Sequence, residues 1–313
     1  MHISRLAPVL AGLFLFTSCE ALDWGDWGEH YREDFHYTYN FNPGGRLALE
    51  NSNGAVEISS WDRNSIEISG TKFASSREML GQIKIEVSPT PDSVRVRTVI
   101  PSNNWGHGSR GASYIIHVPR RVALDEIRTS NGAIRVNDVE GAVRLRTSNG
   151  QVQVGNVKGE MELETSNGAI DVSDVSGNLR AHTSNGPIRG RLRGGSLDAG
   201  TSNGAIEVTI ADAPGNWPIK ADSSNGRIEL NVDSGHVPDI RATTSNSSIA
   251  LRLPASTNAR LEADTSHGSI TTDFDVTVHG GTLGKSHLAG TIGSGGPLIE
   301  LSSSNGSIHV MKR

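Results

Sequence analysis

Carboxylates, histidines and a single cysteine are the side chains of this chain that could do chemistry. Asp171, Glu207 and Glu229 fall at one step of a repeating motif, and paired acids at a fixed separation cleave glycosidic bonds. Elsewhere the same step holds Arg135, Gln153 and Arg189, so a solvated strand face accounts for all six. His267, His279 and His287 stand late in the chain, where the repeat becomes irregular, and read as surface polar groups. Asp23, Asp26, His30 and His36 are metal ligands by type, but their spacing matches no ligand motif. Gly194-Gly195-Ser196-Leu197-Asp198 touches the calcium-binding nonapeptide of other solenoids and does not recur. No Gly-x-Ser-x-Gly elbow stands between a strand and a helix. The expectation is a protein with no catalytic residue, no metal and no cofactor.

Cys19 carries a different chemistry. Ahead of it stand a short basic start, Met1-His2-Ile3-Ser4-Arg5, an apolar run from Leu6 to Phe16, and Thr17-Ser18. The run is too short to cross a bilayer and reads as a secretory signal. Phe16-Thr17-Ser18-Cys19 resembles the bacterial lipobox, with Phe16 where leucine is usual. Lipidation of Cys19 is therefore expected; the alternative is a plain signal peptide with an incidental cysteine. An enteric lipoprotein kept at the inner membrane carries Asp after the cysteine, whereas this chain has Glu20, so the outer membrane is the address in a Gram-negative host. More than one acyl chain on the cysteine would anchor it firmly.

The other residues belong to a framework that repeats. Ser-Asn-Gly recurs with its asparagine at Asn131, Asn149, Asn167, Asn185 and Asn203, at intervals of 18. It returns at Asn225 after 22 residues and, as Ser-Asn-Ser, at Asn246 after 21. Ser266-His267-Gly268 stands a further 21 on, Ser304-Asn305-Gly306 closes the chain, and Ser52-Asn53-Gly54 is an outlying early copy. A period near 20 residues marks an array whose units stack on their neighbours.

One unit shows why. Val143, Leu145 and Thr147 alternate with arginines, Ser148-Asn149-Gly150 follows, Val152 and Val154 alternate with glutamines, and Val157 precedes Gly159. Alternation of this kind makes strands with one buried face. Two short strands and two corners in 18 residues form one rung of a parallel β-solenoid. Roughly ten rungs at about 4.8 Å make a rod of about 45–50 Å. The third residue after each turn position is Ile134, Val152, Ile170, Ile188, Ile206, Ile228, Ile249, Ile270 or Ile308, a β-branched column that no single rung could bury alone. An outward column reads Glu126, Arg144, Glu162, Arg180, Asp198, Lys220, Arg241 and Glu262. Its alternating sign favours neighbours stacked in sequence order. Asn and Gly both accept left-handed angles, so Ser-Asn-Gly is read as a sharp corner, with Asn131, Asn149, Asn167, Asn185, Asn203, Asn225, Asn246, His267 and Asn305 as its ladder and amides bonded from rung to rung. A polar row that reads a glycan or peptide is the functional alternative.

The 313 residues hold 29 basic and 34 acidic side chains, net −5, with both signs interspersed. No basic face points to nucleic acid. The 36 glycines fall at repeated turns. The expected organisation is a signal peptide over 1–18, a tether over 19–41, an N-terminal β section over 42–120 and the solenoid over 121–313.

Gly44-Gly45-Arg46-Leu47, Glu50-Asn51-Ser52-Asn53-Gly54-Ala55-Val56, Trp61-Asp62-Arg63 and the iterated Thr-Ser-Asn-Gly-Ala-Ile run from Thr129 together resemble the bacterial putative-adhesin family with β-strand repeats, long catalogued as a domain of unknown function. The resemblance covers about Phe41 to Arg313. It implies an envelope setting and adhesion, with no catalytic residue and no established ligand. The functional expectation is a non-enzymatic, lipid-anchored envelope protein that binds or scaffolds, its partners being the membrane and an envelope protein or glycan. Two alternatives stand: an envelope-stress or sensor-associated accessory domain that binds a protein partner, and a degenerate polysaccharide-active β-helix.

Overall fold

Two sheets of 13 and 14 strands face each other along the whole array. The computed structural model describes residues 31–101, 109–212, 217–278 and 284–313. Cys19, the signal sequence, Asp23, Asp26, His30 and His279 lie outside the described residues, as do Trp105 and His107 of the loop after Pro101.

Each unit crosses from one sheet to the other at a Thr-Ser-Asn-Gly corner, returns at a second corner, and reaches the next Thr-Ser-Asn-Gly corner 18 residues on in the regular stretch. Val143–Arg146 pairs in parallel with Met161–Glu164, Leu145 opposite Leu163. Val152–Gly155 pairs in parallel with Ile170–Val175, Val152 opposite Ile170. Every side chain therefore lies on its counterpart one layer away, and the apolar ones form columns. Ile134, Val152, Ile170, Ile188, Ile206, Ile228, Ile249 and Ile308 are fully buried; Ile270, in the last layer, is half-buried. Val139, Val157 and Val175 fill the second corner and are also fully buried. The fold is the expected parallel β-solenoid, and one continuous hydrophobic cluster runs through it.

The order of layers differs from the order of the chain at both ends. Strands β1 (Tyr31–Asn40), β2 (Arg46–Glu50), β3 (Val56–Trp61) and β4 (Ser65–Ala74) open the fold, followed by helix α1 (Arg77–Gln82), β5 (Lys84–Thr90), β6 (Ser93–Val99) and β7 (Arg110–Pro119). Strands β2 and β3 form a layer hydrogen-bonded directly to the one at 123–137. Strands β6 and β7, although later in the chain, lie outside them as a further parallel layer. The two sheets thus pass residue 120 unbroken. At the other end Leu298–Ser303 and Ile308–Lys312 insert between the layer at 240–253 and the layer at 259–272. This corrects the expectation of stacking in strict sequence order. The strand pairings among the described residues define eleven parallel layers.

Antiparallel strands finish both ends. Strand β4 pairs with β7, β1 with β4, and β5 with β6. His287–Ile292 runs antiparallel along Ala259–Thr265 and carries Val276–Val278, so these two strands close the far edge of the 14-stranded sheet. Residues 31–40, expected in a tether, are instead strand β1. Phe35, Tyr37 and Tyr39 alternate with polar residues and pack on the core, which is the period of a strand with one apolar face.

Candidate functional site

The repeated corner is built from four side-chain and backbone roles. Thr147, Thr165, Thr183 and Thr201 are buried. Each hydroxyl donates to the glycine carbonyl of the layer before, at 3.0, 2.9, 3.0 and 3.1 Å. Each also accepts from the glycine N–H of its own corner, Gly150, Gly168, Gly186 or Gly204, at 3.1–3.3 Å. A buried hydroxyl is thereby satisfied twice. The serine carbonyl takes two backbone N–H groups from the next layer: Ser148 and Asn149 both donate to Ser130, at 3.2 and 3.0 Å.

The asparagines form an unbroken chain of side-chain amides. Asn131 donates to Asn53 (2.7 Å), Asn149 to Asn131 (2.6 Å), Asn167 to Asn149 (2.7 Å) and Asn185 to Asn167 (2.7 Å). Asn203 donates to Asn185 (2.8 Å), Asn225 to Asn203 (2.7 Å), Asn246 to Asn225 (2.7 Å) and Asn305 to Asn246 (2.8 Å). Every step runs the same way, and Asn53 ends the chain by donating to the Arg110 carbonyl at 2.8 Å. Aligned amides polarise one another, as other hydrogen-bonded chains do. His267 occupies the corner beyond Asn305, where its backbone N–H donates to the Ser304 carbonyl at 2.9 Å.

Close approach, and not a left-handed angle, requires glycine at these corners. A Cβ on Gly132, Gly150, Gly168, Gly186, Gly204 or Gly226 would lie 1.6–1.9 Å from the glycine carbonyl oxygen of the layer before. Apart from Gly54 of the early copy (φ 123°), left-handed angles occur instead at the opposite corner, at Asp138, Asn156, Asp174 and Asp212, with φ of 49–62°, and at Gly141, Gly159, Gly177 and Gly195. The expectation of left-handed Asn-Gly turns is thus corrected. Stacking leaves no room for a methyl group where two glycine backbones touch.

The outward faces are charged and largely paired. Arg144 lies between Asp125 (3.0 Å) and Glu162 (3.5 Å), and Asp198 between Arg180 (3.4 Å) and Lys220 (3.8 Å). The hydrogen bond from Lys220 to Asp222, and then the charge of Asp222, push the Lys220 ammonium above its usual range. Exposed pairs of this type add little stability; stacked like charges would be worse, so their effect is on register. Asp171 accepts from Gln151, Glu207 pairs with Arg189 at 3.5 Å, and Glu229 contacts Arg227 and Arg252. These three carboxylates lie on an open sheet face, each held by a neighbour. His287 contacts Asp264 on the exposed edge, and His36 contacts Thr38 at 3.2 Å on the outer face of β1. Among the described residues no three His, Cys, Asp or Glu side chains converge to hold a metal ion.

Sequence reading did not single out one feature. Where the period lengthens to 21–22 residues, longer second corners enclose a cleft of about 540 Å³ bordered by His236, Pro238, Asp239, Ser256, Asn258 and Pro297. The lengthened interval was its only trace in the sequence.

A two-sheet parallel solenoid with amide-laddered corners defines the structural class. The Toastrack DUF4097 family model matches residues 46–247, and the chain belongs to that family. Solved structures with a similar chain path include a putative adhesin from Bacteroides fragilis, at 13% identity and a TM-score of 0.41 over 90% of this chain and 97% of that one. Another, a putative adhesin from Parabacteroides distasonis, has 10% identity and a TM-score of 0.39 over 91% and 98%. A putative cell adhesion protein from Clostridium sporogenes has 11% identity and a TM-score of 0.24 over 90% and 100%. No curated protein matches the chain.

Proposed function

We propose that this chain is a non-enzymatic, lipid-anchored protein of the cell envelope whose solenoid serves as a rigid adhesin-like binding or scaffolding surface. The observation that carries the reading is the laddered corner. Exposed asparagine amides and serine hydroxyls repeat along it at one layer spacing, about 4.8 Å. Each amide donates one N–H to its neighbour; Asn167 and Asn185 also lean on the serine carbonyl of the layer before, at 3.5 Å, so the remaining donor capacity faces solvent or ligand. A polymer with regularly spaced acceptors, such as an envelope glycan, suits such a row, and a surface held rigid by its own stacking loses little entropy on binding.

Ser148, Ser166 and Ser184 permit a direct test, because their corner contacts are made by backbone groups and their side chains are exposed. The purified protein is expected to bind isolated envelope or a glycan panel. Replacing the three serines by lysine should weaken that binding about tenfold or more while leaving the circular dichroism unchanged. Unaltered binding by a folded triple variant would remove the corner from the function, and turnover of any glycan would remove the non-enzymatic reading.

A further inference from the structure

Three neighbouring strands of the 14-stranded sheet begin at Ile240, Leu298 and Ala259, in that spatial order. Ile240 and Ala259 are reached as elsewhere in the array, by second corners that cross from the other sheet. Leu298 is not. The chain arrives there from the antiparallel strand His287–Ile292, through Gly293 to Pro297. The inserted layer therefore lacks a crossing into its own strand, and the corner at 254–258 steps past it to the next layer. The cleft of about 540 Å³ opens where that crossing is missing, lined by residues just ahead of the three strand starts.

Its polar groups are held from behind. Asp239 accepts the Leu298 N–H through Oδ1 at 2.7 Å. Asn258 accepts the Ser294 N–H and hydroxyl through its Oδ1, at 2.8 and 3.1 Å, and donates to the Ser256 carbonyl at 3.3 Å. Thr257 is buried and donates to the Pro254 carbonyl at 2.6 Å. A rim fixed in this way loses little freedom when a ligand arrives. Among the described residues, the second oxygen of Asp239, the His236 ring and the Ser256 hydroxyl have no hydrogen-bond partner. All three side chains line the cleft and are exposed. Val237 and Pro238, both buried, and Pro297, half-buried, supply its apolar part.

That lining selects a class of ligand. Asp239 is the one carboxylate, and no lysine or arginine lines the cleft, so an anion would meet an uncompensated like charge. A single carboxylate is a poor seat for a divalent cation, which takes several oxygen ligands. A hydrocarbon would bury the free groups of Asp239, His236 and Ser256 without partners. A neutral pyranose satisfies both halves of the surface, because its hydroxyls pair with polar groups and its C–H face packs on apolar ones. Trp217 adds a platform. It is 39% exposed and stands two residues before Ile219, as Pro238 stands two before Ile240. Ile219 and Ile240 are directly opposed, so the indole belongs to the layer beside Pro238. The electron-rich face of an indole attracts the positively polarised C–H bonds of a sugar.

We propose that this cleft is a carbohydrate site for one or two neutral pyranose units. Asp239 and Ser256 hydrogen-bond the hydroxyls, His236 closes the rim, and Trp217 stacks on a sugar face. The volume lies within the range of about 300–1,000 Å³ usual for ligand clefts. The site is on the edge of the solenoid opposite the asparagine ladder and does not depend on it.

Maltose, cellobiose, lactose and di-N-acetylchitobiose serve as neutral probes, with glucuronic acid and glucose 6-phosphate as anionic controls. Saturation-transfer NMR and tryptophan emission of the purified full chain report binding. At least one neutral disaccharide is expected to bind, and the anionic sugars at least about tenfold more weakly. A Cβ on Gly235 meets nothing within 4 Å, so Gly235→Trp should fill the cleft and abolish binding with unchanged circular dichroism. Asp239→Asn keeps the acceptor for Leu298 and should weaken binding about tenfold. Trp217→Ala should weaken it and remove the emission change. Lysine at Ser148, Ser166 and Ser184 should leave disaccharide binding intact, so this site and the ladder surface fail separately. No binding of any neutral probe at millimolar concentration would overturn the proposal. Preference for the anionic sugars, or binding that survives Gly235→Trp and Asp239→Asn, would overturn it equally.

Discussion

Arg241 forms its ion pair with Glu300 at 3.3 Å, although Glu262 is the next acidic residue in the outward column of the chain. That contact records the insertion of the final layer between two earlier ones. Among the described residues, the layer at 259–272 therefore meets the rest of the stack only through the C-terminal strands.

Glycine at the corner should be more demanding than its exposure implies. Gly168→Ala would drive a methyl group to 1.8 Å from the Gly150 carbonyl oxygen and is expected to cost about 3 kcal/mol or more, beyond ordinary overpacking. Gly81→Ala, in α1 with nothing within 4 Å of the added carbon, should stabilise by about 0.5–1 kcal/mol. Urea unfolding of the two variants measures the contrast.

Core columns should fail as a unit. Ile170 is fully buried and packs between Val152 and Ile188. Ile170→Asp is expected to cost more than about 4 kcal/mol, as an unpaired charge in a dry column. Hydrogen exchange should then rise over several neighbouring layers together; a rise limited to Ile170 and its contacts would count against a shared core.

Much of this was legible because a column is a sequence property. The positions from Ile134 to Ile308 and the alternating charges from Arg144 to Lys220 follow from counting on the recurring Ser-Asn-Gly corner, and the structure stacks them. What escaped has physical reasons. Asn53 joins the ladder on Asn131, but α1 and six strands lie between them in the chain, and no periodicity reports a return over that distance. Arg241 opposite Glu262 satisfied the charge rule as well as Arg241 opposite Glu300 does, so sign alone could not reveal the inserted layer. The aromatic alternation of β1 was short and lay beside the signal sequence, which favoured a tether. The corner chemistry was misread because Asn-Gly pairs commonly signal left-handed turns, whereas close stacking imposes the same glycine.

Alkaline pH should weaken the N-terminal end first. Burial pushes the Tyr114 phenol up to about 12 from 10.0, against a smaller opposing effect of its hydrogen bond with Thr98. The raised value favours the protonated native form. Its contribution is complete below pH 10, falls as the unfolded chain alone ionises, and is lost by about pH 12, a change on the order of 2–3 kcal/mol. Tyr114→Phe should flatten that part of the stability profile measured by denaturant titration at each pH.

Membrane attachment should depend on Cys19. Cys19→Ala is expected to abolish incorporation of radiolabelled palmitate and release the protein from the membrane fraction; unchanged retention would refute attachment through Cys19.

The layer order can be read by cross-linking in a Cys19→Ser background. Arg241→Cys with Glu300→Cys places two thiols on directly opposed residues of neighbouring parallel strands, within disulfide reach. Arg241→Cys with Glu262→Cys places them two layers apart, about 9.6 Å and out of reach. Rapid oxidation of the first pair and none of the second is the expected result. The reverse would contradict the stack from which the ladder, the core and the binding surface all follow.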